Sequence, residues 1–127
     1  MDNRRRFNWD LIHNFKKDEF DCKCNCGKNN IDDELITMLN EARILADVSF
    51  VVNSACRCDE HNHNVGGSKT SSHPKGFAVD IKVTSSINRM KILTALLKVG
   101  FKRIGIYKNF IHVDNDKSKP LNVIWYK

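Results

Sequence analysis

Apolar and polar residues along this chain change rhythm several times, and each change predicts an element. From Ile31 to Ala46 the apolar residues Leu35, Met38, Leu39, Ala42 and Leu45 recur at helical spacing and make one face. Asn30 can cap this helix, and Asp32, Asp33 and Glu34 sit in its first turn, where the helix dipole favours acids. Val48 to Val52 is β-branched and aromatic and reads as a strand. Asp59 to Val65 reads as a short helix capped by Asp59 and ended by Gly66-Gly67, and the polar stretch Ser68 to Gly76 as a loop. Phe77 to Val83 then alternates, with Phe77, Val79, Ile81 and Val83 on one face and Ala78, Asp80 and Lys82 on the other. Ile87 to Val99 returns to helical spacing through Met90, Leu93, Leu96 and Leu97, and Gly100 stops it. Phe101 to Tyr107, Phe110 to Asp114 and Asn122 to Trp125 read as three more strands.

This order predicts an α+β fold, an antiparallel sheet with helices packed mainly on one side. The 127 residues fit a single domain, 1–127. Residues 1–28 form an irregular N-terminal arm, pinned to the body by Trp9, Phe15 and Phe20. Apolar runs are only a few residues long, so no membrane insertion is expected. Met1 to Arg6 is charged and is followed by Phe7-Asn8-Trp9-Asp10 rather than an apolar core. The expectation is a chain made in the cytoplasm without a signal peptide.

Charge narrows the partners. There are 21 Lys and Arg against 15 Asp and Glu, a net charge of +6. The basic residues are dispersed, with Arg4-Arg5-Arg6 the only cluster. No helix shows a continuous basic face, so nucleic acid is not the expected partner. An anionic polymer suits this charge equally well.

The five cysteines fall in two groups, Cys22-Lys23-Cys24-Asn25-Cys26 and Cys56-Arg57-Cys58. An odd number excludes complete internal pairing. Single-residue spacers are tighter than those of the usual zinc knuckle. Free thiols in a reducing cytosol are the expected state, and a structural metal shared by both groups is the alternative. The groups should lie near one another, and none should ligate a catalytic zinc.

Three segments carry chemistry that packing explains poorly. His73 ends a polar loop, and Asp80 sits mid-strand, where a carboxylate needs a partner. His112 and Asp114 lie two apart in a strand and project from the same face. His73, Asp80 and His112 together make a three-ligand set suited to Zn2+, with a fourth position open to water, the mark of a catalytic site. Arg57 follows a strand and can bind a carboxylate or carbonyl oxygen, or else pair with Asp59 or Glu60.

These residues resemble a known family, the zinc D-Ala-D-Ala carboxypeptidases and L-alanyl-D-glutamate endopeptidases that cut peptidoglycan peptides, among them phage endolysins. The Hedgehog signalling domain shares their fold. The likeness runs through Phe20-Asp21-Cys22, Ser54-Ala55-Cys56-Arg57 and Glu60 to Gly67. It continues through Ser71, His73, Gly76, Ala78 and Asp80, then Gly105-Ile106-Tyr107 and Phe110 to Asp114. It implies zinc on His73, Asp80 and His112, with Arg57 a catalytic residue steadying the scissile carbonyl or the peptide carboxylate, Tyr107 facing substrate, and Ser71 either bonding near the substrate or holding the loop. Gly76 would let the chain turn close to the metal. Several relatives place the general base three residues before the last histidine, where this chain has Asn109. Asp114 is the base candidate in its stead, or else orients His112.

The expected function is therefore that of a monomeric zinc metallopeptidase hydrolysing an amide bond in peptidoglycan stem peptides. Such an enzyme would act on the bacterial cell wall in phage or prophage lysis, or be virion-associated. The alternative is a non-catalytic zinc-containing cell-wall-binding module of the same fold.

Overall fold

The computed structural model describes residues 7–127, so the Arg4-Arg5-Arg6 run lies outside the described residues. Two short 3₁₀ turns, Trp9–Leu11 and Lys17–Phe20, lead into helix α1, Asp33–Ala46. Strand β1 spans Val52–Ser54, helix α2 Asp59–Asn64 and strand β2 Ala78–Lys82. Helix α3 covers Ser86–Val99, and strands β3, Arg103–Ile106, β4, Phe110–Asp114, and β5, Val123–Tyr126, complete the order.

The strands form one sheet in the order β1-β2-β4-β3-β5. Pairing is antiparallel from β1 to β3, but β5 runs parallel to β3. The sheet is thus mixed, not antiparallel throughout. After β4 the chain crosses over before pairing on the far side of β3, so β5 arrives in the direction β3 already has. Such a crossover leaves no trace in hydropathic alternation.

Alternation sorts the central strands into two faces. Val79, Ile81, Ile104, Ile111 and Val113 are all buried in one cluster with Leu35, Ile36 and Leu39 of α1 and Ile92, Ala95 and Leu96 of α3. The opposite face presents Asp80, His112, Asp114, Arg103 and Gly105, which lie side by side in register across β2, β4 and β3. Burying each Ile or Val of the core face contributes about 1.5–3 kcal/mol, and that packing fixes the backbone from which the polar face projects.

Several sequence expectations shift. The α1 cap is Asp32, which accepts the Leu35 N–H at 3.0 Å, whereas the Asn30 amide donates to the Pro74 carbonyl. Ile36 and Ala46 join the buried face of α1 while Leu45 is exposed. In α3 the buried stripe is Ile92, Ala95 and Leu96, and Met90 and Leu97 face out. That helix is apolar on more than one side, and the small Ala95 selects the side that approaches the core. Of the segment Val48–Val52 only Val52 falls within β1, although the Val51 carbonyl also accepts the Lys82 N–H at 2.8 Å and Phe50 fills the core. Helix α2 is capped by Cys58 rather than Asp59. In the arm, Phe15 and Phe20 are buried against one another, with ring centroids 5.3 Å apart.

Gly76 adopts φ +79°, and a Cβ there would lie 2.0 Å from the Asn30 carbonyl oxygen. Its conformation is one that L side chains rarely adopt. What a side chain would crowd is the irregular segment leading into α1, not the candidate metal ligands.

Candidate metal centre

Asp80 stands on β2 directly opposite His112 on β4. Their cross-strand pairing brings Asp80 Oδ1 to 2.9 Å from His112 Nδ1. The loop before β2 delivers His73, whose Nε2 lies 3.3 Å from Asp80 Oδ2. One donor atom from each of the three residues falls within 4.8 Å of the others. Tetrahedral ligation at about 2.0–2.2 Å sets donor atoms roughly 3.3–3.6 Å apart, so the three need only small adjustments to share one zinc.

The ring orientations are set from outside the cluster. His73 Nδ1 donates to the Ala55 carbonyl at 2.7 Å, which leaves Nε2 as the inward nitrogen. His112 Nε2 donates to Asp114 Oδ2 at 2.8 Å, which leaves Nδ1 facing Asp80. Two ring lone pairs and a carboxylate therefore converge on one point. Such a donor set calls for a cation, and its chemistry fits zinc. Burial lowers the His112 pKa, but the carboxylates of Asp114 and Asp80 outweigh it and hold the ring above its ordinary value. Burial opposes ionisation of Asp80 too, yet hydrogen bonds from His112 and His73 keep it well below the usual carboxylate range.

Asp114 is only 1% exposed and lies on the other side of the His112 ring from Asp80. Its Oδ1 accepts from Arg103 Nε at 2.8 Å and from the Asp116 N–H at 3.1 Å. Both oxygens thus already accept hydrogen bonds, Oδ1 from two donors and Oδ2 from the His112 ring. Burial raises its pKa, and the contacts with His112, Asp116 and Arg103 overcome that and lower it. Asn109 is exposed at the tip of the β3–β4 hairpin and is absent from the groove walls.

Arg57 reaches the centre from the loop between β1 and α2. Its Nη2 lies 3.6 Å from Asp80 Oδ2, its Nε donates to Ser54 Oγ at 3.1 Å, and its Nη1 donates to Asn62 Oδ1 at 3.1 Å. Asn62 in turn donates to the Ser68 carbonyl. The bland pairing of Arg57 with Asp59 or Glu60 does not occur.

These side chains line an open groove of about 600 Å³ that also carries Ser71, Tyr107 and Trp125 on its walls. Ser71 Oγ accepts the His73 N–H at 3.2 Å and so braces the ligand loop. Tyr107 stacks on Phe110 and accepts the Trp125 Nε1–H at 3.1 Å. Trp125 lies 5.5 Å from the His112 ring and covers Gly105, where a Cβ would approach the indole to 2.6 Å. Asn62, Arg103 and Trp125 escaped the sequence reading. Arginine in an otherwise apolar strand was the one available signal.

Two histidines and an aspartate whose donor atoms converge on the polar face of a sheet, above an open groove and beside a guanidinium, make a candidate metal centre of the kind a metal-dependent hydrolase needs. The chain matches the family model for peptidase M15 over residues 13–114. It belongs to that peptidase family, whose members are metal-dependent, typically on zinc. The match takes in all three candidate ligands and stops short of Trp125. Among curated proteins none matches the chain significantly.

Proposed function

We propose that this protein is a zinc metallopeptidase that hydrolyses an amide bond in peptidoglycan stem peptides, of the D-Ala-D-Ala carboxypeptidase or L-Ala-D-Glu endopeptidase type. The observation that carries the reading is the convergence of His73 Nε2, Asp80 and His112 Nδ1, with each ring's outer N–H already committed. Bound there, zinc would lower the pKa of a water to near 7 and polarise the scissile carbonyl. His73, Asp80 and His112 hold the ion. Asp114 acts as a positioning residue, keeping the His112 proton on Nε2 and the ring turned inward. Arg57, held in a fork by Ser54 and Asn62, offers its remaining guanidinium edge to a carbonyl oxygen or a terminal carboxylate. Ser71 steadies the ligand loop, and Tyr107 and Trp125 provide a flat wall for the peptide. Arg103, Lys119 and Lys127 also line the groove, and their charge suits the carboxylates of stem peptides. A role in lysis by a phage or prophage is consistent with this chemistry.

The test is mass spectrometry of muropeptides after digestion of purified peptidoglycan, with His112→Ala as control. New stem-peptide termini in the first sample alone support the reading and identify the bond cut. The second reading, a non-catalytic cell-wall-binding module of the same fold, is favoured by one observation. Among the described residues Asp80 and Asp114 are the only carboxylates lining the groove, and both are engaged. Zinc-loaded protein that binds peptidoglycan and leaves it intact would select this reading.

A further inference from the structure

The two cysteine groups, far apart in sequence, meet. The sulfurs of Cys22, Cys24, Cys26 and Cys58 all lie within 4.8 Å of one another. Cys24 Sγ is 3.4 Å from Cys22 Sγ and 3.6 Å from Cys58 Sγ. These separations are too long for disulfides, which need about 2.05 Å. They match a tetrahedral thiolate shell: zinc–sulfur bonds of about 2.3 Å place the sulfurs roughly 3.8 Å apart. The fifth cysteine, Cys56, is excluded from the cluster. It is buried and turned toward the Asn29 side chain, with its sulfur 3.7 Å from Oδ1.

The backbone is shaped for this convergence. The Cys22 N–H donates to the Lys28 carbonyl at 2.9 Å and the Asn25 N–H to the Cys22 carbonyl at 3.2 Å, so the segment closes into a tight loop. Asn25 at φ +65° and Gly27 at φ +86° make its two reversals. Single-residue spacers along an extended strand would point all three sulfurs the same way but about 7 Å apart; the left-handed turns draw them together. Two sulfurs also accept backbone hydrogen bonds. The Cys58 N–H donates to Cys22 Sγ at 3.4 Å and the His61 N–H to Cys58 Sγ at 3.3 Å. Outer contacts of this kind orient metal-bound ligands and tune their basicity.

We infer that Cys22, Cys24, Cys26 and Cys58 form a second, structural metal site, a closed tetrahedral four-thiolate centre for a thiophilic divalent ion, zinc by the preference of such sites. Four protein ligands leave no position for water, so the site stabilises rather than catalyses. It fastens the N-terminal arm to the loop between β1 and α2. That loop carries Arg57 between Cys56 and Cys58, so the ion also anchors the segment that places the guanidinium beside Asp80. The thiolate site stands whether or not the protein is a peptidase.

Metal analysis on protein purified under reducing, anaerobic conditions tests it. The expected result is two metal ions per chain in the parent protein and one in His112→Ala. That remaining ion should be lost from a His112→Ala/Cys24→Ser/Cys26→Ser variant; both cysteines are exposed, so the changes open no core cavity. Cobalt loaded into His112→Ala, with every cysteine intact, should show an intense thiolate-to-cobalt charge-transfer band. This spectrum decides the matter even if the cysteine variant fails to fold. One ion in the parent, none in His112→Ala and no charge-transfer band would overturn the inference. So would disulfides joining these cysteines in the reduced preparation.

Discussion

Asp80 and Asp114 grip the same imidazole from its two nitrogens: His112 Nδ1 is 2.9 Å from Asp80 and Nε2 is 2.8 Å from Asp114. Only the first carboxylate can share a metal with His112. The second determines which nitrogen is left to do so. Asp114→Asn should therefore weaken zinc binding by about 10–100-fold, while turnover at saturating zinc largely survives. Competition with a chelating dye and peptidase assays across a zinc series separate the two effects. Full zinc occupancy with a loss of 10²-fold or more, the order of a lost general base, would return Asp114 to the base role.

Arg57 gives the opposite pattern. Its contact with Asp80 is long and its side chain is not a ligand, so Arg57→Ala should keep the catalytic zinc. Turnover should fall by about 10²–10³-fold, the scale of a lost oxyanion donor. Zinc content and steady-state kinetics on the same preparation check this.

Gly105 sits beneath Trp125. Gly105→Ala should force the indole aside at a cost of about 1–3 kcal/mol. Because the chain has two tryptophans, the shift in Trp125 emission is best read in a Trp9→Phe background, beside a denaturant titration.

Asp116 predicts a pH dependence. It is 1% exposed and accepts from Ser72 Oγ at 2.7 Å, Ser118 Oγ at 2.6 Å and Lys75 Nζ at 3.2 Å. Burial works to raise its pKa, but the hydrogen bonds from Ser118 and Ser72, with Lys75, win and depress it well below the ordinary value. A depressed carboxylate contributes stability that is fully present above its unfolded pKa, about 3.9. That contribution is lost as the pH falls from there toward the folded pKa. Asp116→Asn should thus cost about 2 kcal/mol near pH 7, and the gap from the parent should narrow below about pH 4. Urea titrations at several pH values measure both.

Much of the centre was legible in the sequence because strand alternation is a local rule. Residues two apart share a face, so His112 could be placed opposite the apolar Ile111 and Val113 without knowing what β4 pairs with. Other features depend on facts that no local pattern records. Which nitrogen of His112 points inward depends on Arg103 and Asp116 holding Asp114 in place. The nearness of Trp125 depends on β5 crossing to the far side of β3 and running parallel to it. The sequence places the two cysteine groups near one another but favours free thiols over a shared metal, because their spacers match no familiar finger; the left-handed turns at Asn25 and Gly27 draw the sulfurs of the first group together. Helix faces blurred where apolar residues exceeded what one face can bury, as in α3.

The strict division of β4 into an oily side and a wet side makes the strand intolerant of a particular kind of genetic change. A substitution at Ile111 or Val113 is felt locally, as lost volume. Inserting or deleting one codon within Phe110–Asp114 would swap the two sides for every residue beyond it. An imidazole or carboxylate would then be driven into hydrocarbon, and isoleucine or valine set among the ligands. Length changes are therefore best borne outside the strand, at the exposed hairpin tip around Asn109, where no alternation has to be kept.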